Sequence, residues 1–234
     1  MTNYYCNSIL VLLFPFLCSG NAFAFDNNFE QTATADSLPP ISIIGHIGSL
    51  FYKKAPSPHD NLSSAELATL QEGDLLLRKG YGWVSDRIAD YLEEEYPVTH
   101  CALVLRTGYE EPQVLHSLSN EKVNGIFIEP LSNYLSESQA GSLVAIRIKG
   151  TAEERALVIR EAKRLLAKKI PFDMAFNDAD TTELYCAELM GYIFYRVYGK
   201  DLLPEKSSAF GLKAIRMRNF FNPIYFEVLF NHFK

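Results

Sequence analysis

The sequence of 234 residues lacks the motifs that identify most common enzyme classes. It contains no GxSxG nucleophile elbow, no P-loop and no GxGxxG dinucleotide fingerprint. It also has neither an HExxH helix nor a CxxC pair, the short spacings that indicate a zinc site. No cofactor is therefore implied by any sequence motif.

Positive charge is scarce as well. The chain has 22 Lys and Arg against 28 Asp and Glu, a formal net charge of −6, and no long basic run. This balance predicts no nucleic-acid partner. Apolar residues make up 48% of the chain and aromatic residues 13%, enough for one sizeable core. The length suits one domain with an appended segment.

The start of the chain has the pattern of an export signal, although no Lys or Arg precedes its apolar run at 9–17. That run is too short to span a bilayer as a helix. The small-x-small sequence Ala22-Phe23-Ala24 follows it, which predicts a cleaved signal peptide over 1–24 and a periplasmic or secreted protein. An uncleaved anchor is the alternative. Cys18 does not follow the small residues that a lipoprotein signal needs.

We expect a polar, proline-containing N-terminal arm over 25–60 and one domain over 61–234. The pair Ser63 and Glu66 predicts a capped helix start. Apolar and alternating stretches predict strands at 75–78, 98–106, 113–118, 125–129 and 142–148. Helical periodicity predicts helices at 84–93, 130–138, 152–168 and 184–198. Strands that follow one another between helices favour an α+β fold with an antiparallel sheet packed against helices.

Cleavage of the signal leaves two cysteines, Cys101 and Cys186. In an oxidising compartment they could form one disulfide, or one of them could be a reactive thiol. Cys186 falls in the first turn of the predicted helix 184–198. The unpaired N–H groups and positive dipole at a helix start lower a thiol pKa and can stabilise an oxyanion. A buried, inert cysteine is the simpler interpretation.

His100 favours the reactive interpretation of Cys186, because an imidazole at the start of an apolar strand is costly to bury without a partner. A base paired with a thiol is what nucleophilic catalysis requires. Strand alternation places His100 and Cys101 on opposite faces. If His100 faces the Cys186 helix, we expect Cys101 to point away as a core residue. That expectation argues against Cys101 as the nucleophile and, more weakly, against a Cys101–Cys186 disulfide.

A general base needs a group that orients its second ring nitrogen. His116, on the strand that returns beside His100, is the first candidate, and Glu129 and Asp74 are lesser ones. A zinc site made by His100, His116 and Cys186 is the rival use of the same side chains, but no spacing supports it. The remaining histidines, His46, His59 and His232, are interpreted as incidental.

Four segments together resemble a known family: GDLLL at 73–77, THCALV at 99–104, IPFD at 170–173 and LYCAEL at 184–189. They are similar to the YiiX/YebB-like branch of the NlpC-type cysteine hydrolases. In that branch a papain-like fold is circularly permuted, so that the His-bearing strands precede the Cys-bearing helix. The similarity covers about Gly73 to Tyr198.

The resemblance implies a circularly permuted papain-like (NlpC-type) fold in which Cys186 is the nucleophile and His100 the base. The third member would come from the strand after His100, where this branch often has Glu and this chain has His116. It implies an amide or ester substrate: a peptidoglycan peptide, or an N-acyl or lipid ester, with possible association with the envelope. Alternatives are a lipid-directed thioesterase or acyltransferase, and an inactive envelope binding protein.

Overall fold

Six strands form one antiparallel sheet in the computed structural model, which describes residues 60–81, 83–92, 94–105, 111–176, 181–207 and 214–233. The strand order is β4-β3-β2-β1-β5-β8. A separate two-stranded ribbon is formed by β6 and β7. The strands are β1 Leu75–Arg78, β2 His100–Leu105, β3 Gln113–Ser119, β4 Asn124–Pro130, β5 Val144–Ile148, β6 Lys206–Ser207, β7 Ala214–Ile215 and β8 Phe226–Asn231.

Five α-helices and one 3₁₀ turn accompany these strands in the described residues. They are α1 Ser64–Thr69, α2 Trp83–Leu92, α3 Leu131–Ser136, α4 Ala152–Ala167, α5 Cys186–Tyr198 and the 3₁₀ turn Met217–Phe221. The predicted capping box is present at α1: Ser63 N–H donates to Glu66 Oε2 at 2.8 Å, and Glu66 N–H donates to Ser63 Oγ at 3.3 Å. Gly199 ends α5 with a positive φ of 67°, which only glycine adopts freely.

Both faces of the sheet are covered, which explains why its central strands carry apolar residues at consecutive positions rather than only at alternate ones. On one face Leu75 and Leu77 pack in a core that includes α4 and α5. On the other face Leu76 packs with Leu70 and with the buried side of α3, including Tyr134. Sequence alternation along β1 thus assigns each side chain to one of two cores.

The predicted α+β class with an antiparallel sheet is confirmed, and the predicted strands and helices occur within a few residues of their expected bounds. The sixth strand, β8, was not predicted, and it forms a sheet edge beside β5. The predicted signal peptide and nearly all of the arm lie outside the described residues. None of the described helices combines the length and apolar character needed to cross a bilayer.

Candidate active site

Cys186 is the first residue of α5, two residues later than the predicted helix start at 184 and within the predicted first turn. The helix begins there because Tyr185 N–H, just before it, donates to Glu188 Oε2 at 3.3 Å, which satisfies one donor of the first turn. The Tyr185 hydroxyl accepts a hydrogen bond from Ile215 N–H at 2.8 Å, which ties the helix start to β7. Cys186 is buried and forms no disulfide. Its sulfur therefore lies at the positive end of the helix dipole.

Cys101 contacts Cys186, which corrects the expectation from strand alternation. Cys101 packs in the same core cluster as Cys186, and each of the two thiols shifts the pKa of the other. The expectation that Cys101 points away from the helix is therefore wrong. It failed because strand alternation assigns His100 and Cys101 to opposite faces but does not specify which elements pack on each face. Both cysteines are free thiols, so the absence of a disulfide agrees with the structure although the reason given for it does not.

This contact makes the two thiols chemically different. The hydrogen bond from the Cys101 thiol is the main cause that places the pKa of Cys186 well below its usual value. The charge and hydrogen bond of His100, and the Cys101 backbone N–H, act in the same direction against the effect of burial. Burial, followed by the contact with Cys186, raises the pKa of Cys101. These directions make Cys186 the more acidic thiol of the pair.

His100 and His116 are joined directly: His100 Nε2 lies 2.7 Å from His116 Nδ1. His100 opens β2, His116 lies within β3, and both rings are buried. Because Nε2 of His100 is used by His116, Nδ1 is the ring nitrogen left to interact with Cys186. The sequence-based pairing of His100 with His116 is therefore present in the structure.

Glu129 continues this chain of polar groups from the neighbouring strand. His116 Nε2 lies 2.9 Å from Glu129 Oε1, although the ring is not turned to align its N–H fully with that oxygen. Burial is the largest influence on His116 and lowers its pKa to about 4, so the ring is neutral at neutral pH. A neutral His116 with its proton toward Glu129 leaves Nδ1 to accept the proton of His100 Nε2. Glu129 thus joins the site through His116 and does not replace it.

Asp74 has a different role. Its carboxylate is fully buried and accepts two hydrogen bonds from Arg147, from Nε to Oδ1 at 2.7 Å and from Nη2 to Oδ2 at 2.8 Å. It also accepts a hydrogen bond from Gln71 N–H at 2.7 Å. With its oxygens engaged in this way, Asp74 holds β1, β5 and the turn after α1 together and contacts neither imidazole.

Arg78 was missed by the sequence analysis. It is the last residue of β1, directly opposite His100 in the β1–β2 ladder, and only 4% of it is exposed. Its guanidinium carbon lies 4.4 Å from the centre of the Tyr134 ring. Tyr134 is held in turn by a hydrogen bond from its hydroxyl to the Leu76 carbonyl at 3.0 Å. A charged residue that ends the apolar stretch Leu75–Leu77 was the available signal.

The remaining histidine that the structure describes does not contribute to the candidate site. His232, which was interpreted as incidental, binds Asp60 Oδ1 through Nδ1 at 2.8 Å and Glu66 Oε1 through Nε2 at 2.9 Å. His46 and His59 lie outside the described residues. Three aromatic side chains of the later segments, Phe194, Phe220 and Phe226, are buried in the core.

Comparison with known proteins yields a match to a solved structure. No family model matches the chain, and no curated protein does. A solved structure, that of the metalloprotein YiiX from Escherichia coli O157:H7 (DUF1105), matches 70% of this chain and 98% of its own. The TM-score is 0.57 and the identity 16%. The fold is YiiX-like. At this identity the likeness to YiiX shows the fold alone.

The description of YiiX as a metalloprotein raises the question of whether the candidate site fits a metal ion. Here one ring nitrogen of His116 is opposite His100 and the other is opposite Glu129, so neither is directed at an open position. In the part of the chain that the structure describes, no group of three or more His, Cys, Asp or Glu side chains is arranged to hold a metal ion. The residues present do not fit a resident metal, and we derive no chemistry through one.

Proposed function

We propose that this chain is an exported cysteine hydrolase that cleaves an amide bond in a cell-wall peptide or an N-acyl compound. The observation that supports the proposal best is a pair of hydrogen-bonded imidazoles beside a thiol at a helix start. Cys186 begins α5, His100 lowers the pKa of its thiol, and His116 Nδ1 lies 2.7 Å from His100 Nε2. This is the arrangement of nucleophile, base and orienting group that covalent acyl transfer uses.

In the proposed reaction the Cys186 thiolate attacks the substrate carbonyl carbon and forms a tetrahedral oxyanion. The unpaired backbone N–H groups at the start of α5 would stabilise that charge. Protonated His100 then gives its proton to the leaving amine nitrogen, the C–N bond breaks, and an acyl-thioester remains on Cys186. Water attacks the thioester while His100 takes a proton, which releases the acid and restores the thiolate.

His116 and Glu129 would act on His100 rather than on the substrate. By accepting the proton of His100 Nε2, His116 fixes the tautomer that presents Nδ1 to the sulfur. Glu129 fixes the neutral tautomer of His116 in the same way. Both are positioning residues in this scheme.

We also propose the finer fold assignment, a circularly permuted papain-like NlpC-type domain. The chain order supports it, because the strands that carry His100 and His116 precede the helix that carries Cys186. Export to the periplasm or beyond, and an envelope substrate, belong to the same proposal and depend on the pattern over 1–24.

The decisive experiment compares the mature protein with Cys186→Ala on two substrate sets. One set consists of muropeptides, and the other of p-nitrophenyl acyl esters of increasing chain length. We expect cleavage of muropeptides that Cys186→Ala abolishes and that Cys101→Ala retains in part. Cleavage confined to long acyl esters would instead support the lipid-directed thioesterase or acyltransferase.

The inactive alternative has its own measurement, the rate of Cys186 alkylation by iodoacetamide as a function of pH. A thiolate stabilised as described reacts well below the ordinary thiol pKa of about 8.5. Reaction only near or above that pH, together with no turnover of either substrate set, would leave a binding protein as the better explanation.

A further inference from the structure

Arg78 is a buried cation with no counter-ion among the residues that the structure describes. Its Nε and Nη1 atoms are enclosed and have no hydrogen-bond partner, and the side chain forms no ion pair with a described carboxylate. Glu129, the acidic group of the site, lies against His116 instead, with its Oε1 2.9 Å from His116 Nε2. A buried charge without a partner is strongly unfavourable, and the contact with the Tyr134 ring compensates only part of that cost.

The position of Arg78 ties it to the catalytic groups. Its Cα lies opposite that of His100 on adjacent antiparallel strands, so the two side chains are neighbours on one face of the sheet. Its charge also reaches His116, where it opposes protonation of the ring. Arg78, His100 and Cys186 are exposed to nearly the same small extent, 4%, 8% and 6%. Because Arg78 and His100 are neighbours on one face of the sheet, a substrate group held beside His100 would lie next to the guanidinium.

We propose that Arg78 binds a carboxylate of the substrate beside the bond that Cys186 attacks. A planar carboxylate matches the donor geometry of a guanidinium and would supply the missing counter-charge. The inference rests on the proposed hydrolase function and narrows its substrate class. It favours acyl compounds that carry a carboxylate near the scissile bond, as peptides with a free α-carboxylate do, over neutral acyl esters.

The test uses two alkylating reagents that differ only in charge, iodoacetate and the neutral iodoacetamide. Their rate constants for Cys186 are measured on the mature protein at one pH and ionic strength, with the modified residue identified by mass spectrometry. The comparison variant is Arg78→Met, which keeps the length of the stem and removes the charge. Arg78→Lys, which keeps the charge, guards against a loss that is only structural.

We expect the ratio of the iodoacetate rate to the iodoacetamide rate to fall about tenfold or more in Arg78→Met, as loss of a charge-assisted hydrogen bond requires. The iodoacetamide rate should hardly change, and Arg78→Lys should keep most of the ratio. An unchanged ratio in Arg78→Met with wild-type circular dichroism overturns the proposal. An equal slowing of both reagents does so too, because it would indicate a purely structural role.

A second arm separates this inference from the proposed function. Turnover of mono-p-nitrophenyl glutarate is compared with that of p-nitrophenyl valerate, its uncharged analogue. Equal hydrolysis of both esters by Cys186, with neither rate changed in Arg78→Met, would support the hydrolase activity and contradict the carboxylate site. A lower iodoacetate-to-iodoacetamide ratio in Arg78→Met, without turnover of these esters or of muropeptides, would support the carboxylate site and contradict the hydrolase activity.

Discussion

The Nε2 atom of His100 lies 2.7 Å from the Nδ1 atom of His116, so the two buried imidazoles share one proton between adjacent strands. Because this contact engages Nε2, Nδ1 is the nitrogen of His100 that is left for Cys186. The contact also explains why a histidine can stand where a carboxylate or amide often orients a catalytic base, since a neutral imidazole accepts a hydrogen bond equally well.

Loss of His116 should weaken catalysis less than loss of His100. We expect His100→Ala to lower kcat/KM by about 10²–10⁴-fold, the usual contribution of a general acid–base group. His116→Ala should have a smaller effect on kcat/KM, because the base survives but can adopt the wrong tautomer. The pH profile of kcat/KM should also shift in His116→Ala. Ser119→Ala, at the end of the same strand, serves as the control, and an unchanged profile in His116→Ala would contradict the assigned role.

Cys101 should control the acidity of the nucleophile without taking part in attack. A hydrogen bond with the Cys101 thiol is the largest cause that lowers the pKa of Cys186. Cys101→Ala removes this donor, so the pKa of Cys186 should rise and its alkylation profile should move to higher pH. Cys101→Ser keeps a donor hydroxyl and should shift the profile less. Identical profiles for all three proteins would show that the contact between the two sulfurs has no effect in solution.

Asp74 should matter for stability and not for reactivity. Asp74→Asn breaks a buried pair with Arg147 and should lower the free energy of unfolding by about 3–5 kcal/mol. The alkylation rate of Cys186, measured under native conditions, should stay unchanged. Glu72→Gln removes a surface pair with Lys163 at 3.5 Å and should cost less than about 1 kcal/mol. A lower alkylation rate of Cys186 in a folded Asp74→Asn protein would show that Asp74 contributes to the active site and not only to stability.

His232, Asp60 and Glu66 should make stability depend on pH. Burial opposes protonation of His232, but the hydrogen bonds and charges of Glu66 and Asp60 outweigh it and raise the pKa above 6.5. Because the folded-state pKa is the higher one, this stabilisation is complete below pH 6.5 and is lost as pH rises through the folded value. Hydrogen bonds from Ser63 and then His232 lower the pKa of Glu66 from 4.5 to about 2, so its contribution is lost as pH falls toward 2.

The measurement is urea unfolding of the wild type and of His232→Asn across this range. We expect the wild type to lose more stability than His232→Asn as pH rises above 6.5. Parallel curves above that pH would show that the cluster contributes no pH-dependent stability.

Several parts of the structure could be predicted because their causes are local. The helix start at Ser63 follows from a capping box within four residues. The apolar strand at Leu75–Arg78 follows from composition, and Cys186 at the start of α5 follows from helical periodicity that ends at Gly199. The pairing of His100 with His116 follows from a short connection between neighbouring strands, which leaves few alternatives to an antiparallel pair.

Strand β8 could not be predicted because its pattern is that of an exposed edge. Its central residues Glu227 and Val228 are exposed, and the strand forms only by pairing with β5, which lies about eighty residues earlier in the chain.

Sequence alone thus determined most of the element types and the α+β class, and it singled out the thiol and imidazoles of the proposed site, since each depends on neighbours along the chain. Only the tertiary structure decided that Cys101 faces Cys186, that Asp74 is engaged with Arg147 and that Arg78 is buried with no counter-charge in the described part of the chain. Those relations depend on where a helix start meets a sheet and on which distant side chains share a low-dielectric space. Periodicity along a strand specifies its two faces, but not which groups of other elements reach them.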